Sequence, residues 1–138
     1  MTRIRNSYGV VLTLSIAIFV CTAGAHAQES PRRIALKGGE SVVLREYSFV
    51  AANCQSIMVG TPTLDVLEGP EELSLALKGG TVIRRDRGCA APLPGGQVVA
   101  TAKEIKEPKE AKLTIRLNFH TKDGERQSSD VYIISLFP

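Results

Sequence analysis

The stretch KLTIRLNFHTKDGERQSSDVYIISLF, residues 112 to 137, constrains this chain more than any other. Leu113, Ile115, Leu117 and Phe119 alternate with Lys112, Thr114, Arg116 and Asn118. A period of two places every apolar side chain on one face of an extended strand, with the other face in water. Asp123-Gly124 follows, and such a pair reaches the positive φ angles of a tight hairpin. The return strand, SSDVYIISLF, carries Val131, Ile133 and Phe137 on one face and Tyr132, Ile134 and Leu136 on the other. Apolar residues on both faces predict a strand placed centrally and covered on both sides.

Shorter runs of the same kind precede it. RRIALKGG ends in a Gly38-Gly39 turn, and ESVVLREYSFV is β-branched and aromatic. TLDVLEG alternates Leu64 and Val66 before Gly69-Pro70. LSLALKGG alternates Leu73, Leu75 and Leu77 before a second expected turn at Gly79-Gly80, and TVIRR and QVVATAKEI add two more runs. Short strands with turn residues every 8–12 positions, roughly, predict an all-β sandwich or small barrel of about seven to eight strands. Residues 70–78 remain open between strand and short helix, because Pro70, Glu71, Glu72 and Gly79 also suit a helix start and stop.

The first 27 residues read as a secretory leader. Arg3 and Arg5 form a basic head, Val10 to Val20 an apolar run, and Ala25-His26-Ala27 a small-residue cleavage site. The run is short of the roughly 20 apolar residues that span a bilayer. Cys21 follows Val20, where a lipidated cysteine wants a small residue. The expected mature chain is therefore one domain, residues 28–138, in the periplasm or outside the cell, with no stable membrane insertion after cleavage. Arg3 and Arg5 are the only charged residues in the leader, so the excess of +3 falls to +1 without it. That is too small a basic surplus to predict a nucleic-acid partner. The five remaining aromatics, Tyr47, Phe49, Phe119, Tyr132 and Phe137, sit in strand-like runs and read as core.

Outside the leader only Cys54 and Cys89 carry thiols, and an even pair in an exported chain predicts a disulfide. Closing that loop is worth roughly 3–4 kcal/mol in the chain-entropy model. The competing chemistry is a cysteine nucleophile, which needs a base and an orienter. Cys54, His120 and Asp123 or Asp130 would supply the types, and Asp65 with Glu68 would supply a carboxylate pair. His120 falls at the end of an alternating strand, where histidine is ordinarily solvated. One histidine and two distant cysteines supply a zinc site poorly, and no calcium-loop pattern occurs. The reading is non-enzymatic, with no catalytic residue, no metal and no cofactor.

Two charged stretches remain. KEIKEPKEAK, residues 103–112, mixes signs around Pro108 and reads as a solvated connection. RRDRGCAAPLPGG, residues 84–96, sets Arg84, Arg85 and Arg87 beside Cys89 in a loop the disulfide would restrain. Such a loop is a candidate contact for carboxylates, sulfates or an acidic partner; neutralisation by Asp86 and other acids is the plainer alternative.

Leu113 to Thr121, Asp123-Gly124, Ser128-Ser129 and Val131 to Leu136 together resemble the closing hairpin of bacterial immunoglobulin-like and cadherin-like envelope domains. The resemblance implies an Ig-like antiparallel β-sandwich. It does not extend to a core tryptophan, since the chain has none. The expected function is a binding or structural module of the cell envelope whose partner is an envelope protein or a glycan. A periplasmic inhibitor or chaperone of an envelope enzyme, and a small exported cysteine enzyme, are the alternatives.

Overall fold

The expected hairpin forms, and it is longer than its apolar core. In the computed structural model, which describes residues 30–138, β6 (Lys109–Thr121) pairs with β7 (Gly124–Phe137) from Lys109 opposite Leu136 to Thr121 opposite Gly124. The positive φ at the turn falls on Gly124, at +112°. The leader expected at residues 1–27 lies outside the described residues.

Five further strands complete two layers: β1 (Arg32–Lys37), β2 (Ser41–Tyr47), β3 (Thr63–Glu68), β4 (Leu73–Val82) and β5 (Leu93–Ala102). One sheet has the order β1-β7-β6-β3 and the other β2-β5-β4. The described chain is thus an all-β sandwich of seven strands, with a single 3-10 turn at Arg85–Arg87. Residues 70–78 resolve as turn and strand, since β4 runs from Leu73.

Two pairings differ from expectation. β1 lies parallel to β7, with Arg32 opposite Tyr132 and Lys37 opposite Phe137, while every other pair is antiparallel. The cause lies at Gly38-Gly39. The Gly38 N–H donates to the Phe137 carbonyl in one sheet, and the Gly39 N–H donates to the Ala102 carbonyl in the other. The turn therefore switches layers instead of closing a hairpin, and β1 finds its partner at the far end of the chain.

The second difference is Gly79-Gly80, which is no turn. Both lie inside β4, opposite Gly96 and Gly95 of β5. Across the ladder, a Cβ on Gly96 would meet the Tyr47 ring and the Lys78 carbonyl, and one on Gly95 would meet the Tyr47 carbonyl. The β5 glycines are there so that β2 can approach closely, a long-range demand that β-strand glycines often answer. As a result Leu93 to Gly96, expected in a loop, belong to β5.

The core lies between the layers, on Leu36, Leu44, Val98, Ile115, Tyr132 and Ile134 among others. Each fully buried large apolar side chain stabilises the fold by about 1.5–3 kcal/mol. β7 is central in its sheet but covered on one face only. Tyr132, Ile134 and Leu136 are fully buried, whereas Val131 is 37% and Phe137 45% exposed. A two-layer sandwich has no third layer to cover the outer face, which is why the expected double burial does not occur.

Candidate functional site

Three connections converge at one end of the sandwich: β2–β3, β4–β5 and the β6–β7 turn. Their proximity follows from the registers, because Met58 of the first bridges Thr121 beside the third. Cys54 and Cys89 join the first two connections through a disulfide, with Cα atoms 5.6 Å apart. Cys89 is buried. Cys54 has φ +61°, the left-handed region that non-glycine residues seldom enter. Local hydrogen bonds hold it there: Cys54 N–H donates to the Ala51 carbonyl, and Ala51 N–H to the Gln55 carbonyl. The bridge ties two loops at one end and does not pin the sheets at their centre.

The arginines of the β4–β5 connection separate into different situations. Arg84 donates from Nε and Nη2 to both carboxylate oxygens of Asp86, at 2.9 and 2.8 Å. Its Nη1 donates to the carbonyl and hydroxyl of Ser48, at 3.0 and 3.1 Å. Ser48 is largely buried at the cleft wall, so Arg84 satisfies polar atoms of the β2–β3 connection that have little access to water. The hydrogen bonds from Arg84 pull the Asp86 carboxyl down to about 2, against an ordinary 3.8. The same bonds to Asp86 raise Arg84. Arg85 and Arg87 are exposed and make no ion pair among the described residues.

Arg87 also borders a cleft of about 230 Å³ between the clamped loops and β7, shared with Arg45, Arg84, Ser48, Phe49 and Ser128. Arg45, on β2, crosses the layers: Nη1 donates to the Ser128 hydroxyl at 2.8 Å and to Asp130 at 2.5 Å, both on β7. Asp130 receives Arg32 of β1 as well, at 3.3 Å, and its side chain is only 16% exposed. Arg45 is the site residue that sequence reasoning missed. The strand ESVVLREYSFV shows a charge at this position, but nothing local shows that a bulge at Leu44 turns it toward β7.

The groups considered for catalysis are apart in their chemistry. Cys54 is oxidised, His120 Nδ1 faces Glu125 at 3.3 Å, and Asp130 is held by two arginines. Asp65 accepts from the Asn118 amide at 2.8 Å, and Glu68 pairs with Lys112 at 3.1 Å. Among the described residues no three His, Cys, Asp or Glu side chains come together as metal ligands, and no helix is long and apolar enough to cross a membrane. No family profile and no curated protein matches the chain.

Proposed function

We propose that the chain is an exported, non-catalytic binding module of the bacterial cell envelope, and that it grips an acidic group of an envelope protein or glycan at its clamped loop end. The sheet orders β2-β5-β4 and β7-β6-β3 correspond to the B-E-D and G-F-C orders of immunoglobulin sandwiches, which present their variable loops at one end. This supports an Ig-like module with a first strand laid parallel on the last.

The observation that carries the reading is the position of Arg87. It stands at the rim of a cleft whose other cations, Arg45 and Arg84, are already fixed by Asp130 and Asp86. A guanidinium without an ion-pair partner, on a loop fixed by a disulfide, offers a carboxylate or sulfate a two-point contact at little cost in loop ordering. The fixed pairs shape the cleft wall, and Arg87 supplies the free charge.

The test uses dextran sulfate and poly-glutamate as probes, titrated calorimetrically at low and high salt. The intact oxidised protein is expected to bind one of them, and Arg87→Ala to weaken that binding about tenfold, the scale of a charge-assisted hydrogen bond. Failure to bind either probe, or binding that Arg87→Ala leaves unchanged, removes the proposal.

A further inference from the structure

Among the described residues the sandwich has four free edges, β1, β3, β2 and β4. Exposed strand edges pair with other strands unless charge, bulges or brevity prevent it. Three edges carry such guards. β1 has Arg32, Arg33 and Lys37 in six residues; β3 has Asp65, Glu68 and a register break after Val66; β2 has Arg45, Glu46 and its own break at Leu44. β4 has almost none. Its ten residues, LSLALKGGTV, contain one charge, Lys78, and their register with β5 is unbroken from Leu73 to Val82.

The flanks of β4 differ in sign. Glu71 precedes it and Arg85 follows it, both exposed and both without an ion pair among the described residues. A strand that is acidic at its start and basic after its end complements its own reverse. We propose that the β4 edge is a docking surface for a second copy of this chain, the two β4 strands pairing antiparallel about a two-fold axis so that the three-stranded sheets join into one.

The faces select the register. Paired residues must project to the same side, so the central positions are Leu77 on its twin or Lys78 on its twin. The second sets two ammonium groups directly opposite each other, which is unfavourable. The first places Ala76 opposite the partner copy's Lys78 and directs the turn that carries Glu71, just before one β4, toward the segment that carries the partner copy's Arg85, just after the other, so that opposite charges meet at both ends of the joint. Two-fold symmetry makes each of these contacts twice. This surface is distinct from the Arg87 cleft and does not rest on the acidic-ligand reading.

Sedimentation velocity on the oxidised protein tests it. A self-association with Kd on the order of 10–100 μM is expected, as suits a small, largely backbone-mediated interface. Ala76 is exposed, so both charges are tolerated there. Ala76→Lys should raise the Kd about tenfold by facing Lys78, and Ala76→Glu should lower it. Independently, Glu71→Arg should weaken the dimer and the Glu71→Arg/Arg85→Glu pair should restore it. A monomer at every concentration up to about 1 mM, in the range of the weakest specific complexes, would overturn the proposal. So would a dimer indifferent to the sign of charge at position 76 and at the Glu71–Arg85 pair; a monomer would leave the edge free for a foreign strand.

Discussion

The Tyr132 hydroxyl on β7 donates to the Leu44 carbonyl on β2, at 3.3 Å, across the full thickness of the core. Leu44 sits at the break in the β2–β5 register, where Val43 faces Val99 and Arg45 faces Val98. The bulge leaves Leu44 without a ladder partner, and the tyrosine supplies the hydrogen bond that its carbonyl requires. Tyr132→Phe keeps the ring and removes that donor, so a loss of about 1–2 kcal/mol is expected in urea unfolding.

The same tyrosine gives the fold an alkaline limit. Burial raises the Tyr132 hydroxyl above its ordinary 10.0, with Asp130 adding to the effect, and burial raises Tyr47 as well. Both groups ionise more readily in the unfolded chain than in the native one. Their neutral-form contribution is therefore complete below pH 10 and declines as the pH rises toward the native-state values. Unfolding midpoints measured from pH 8 to 11, roughly, should fall more gently in Tyr132→Phe than in the parent. Equal slopes would mean that Tyr132 is not the group responsible.

Glycines on facing strands should behave oppositely. Gly96→Ala forces a Cβ against the Tyr47 ring and the Lys78 carbonyl, so about 1–3 kcal/mol of destabilisation is expected. Its ladder partner Gly79 has open space where a Cβ would go. Gly79→Ala should be neutral, or stabilising by a few tenths of a kcal/mol through the unfolded state. Thermal melts of the two variants, side by side, test whether close approach of β2 or flexibility of β4 explains the glycines.

That pair also shows where sequence reading stopped. The alternation over Leu113 to Phe119 and the Asp123-Gly124 turn were legible because a strand's period and a hairpin's φ requirement are local. The Cys54–Cys89 pair was legible because two thiols outside the expected leader allow one partnership. Gly79-Gly80 misled because its spacing mimics a turn, while the glycines opposite answer to Tyr47, about 50 residues away in sequence. The parallel β1–β7 contact and the role of Arg45 were hidden for the same reason: each is decided by a layer switch or a bulge. Arg84, Arg85 and Arg87 read as one cluster, and only their partners separate them.

Removing the clamp should cost much of the stability. The bridge closes a loop with a sequence separation of 35. On the chain-entropy estimate, Cys54→Ala/Cys89→Ala loses about 4 kcal/mol, reduced by relief of the left-handed backbone at position 54 if the loop relaxes. Chemical unfolding of the double variant measures it. A loss below about 1 kcal/mol would show that the Arg84–Ser48 hydrogen bonds already hold the two connections together.

Asp86 reports on how the arginines are divided. Its carboxyl is pulled to about 2, first by the hydrogen bonds from Arg84, with the charge of Arg87 the least of the causes. A carboxyl more acidic in the native state adds stability above its ordinary 3.8 that is lost as the pH falls toward 2. Because Asp86 is exposed, salt should screen that contribution strongly. Titration of its side-chain carbon by NMR should give a midpoint near 2 in the parent and near the ordinary 3.8 in Arg84→Ala. Arg87→Ala should leave the midpoint almost where it was. A large shift in that variant would mean that Arg87 is bound to Asp86 in solution, and a guanidinium so engaged would have no free charge to offer a ligand.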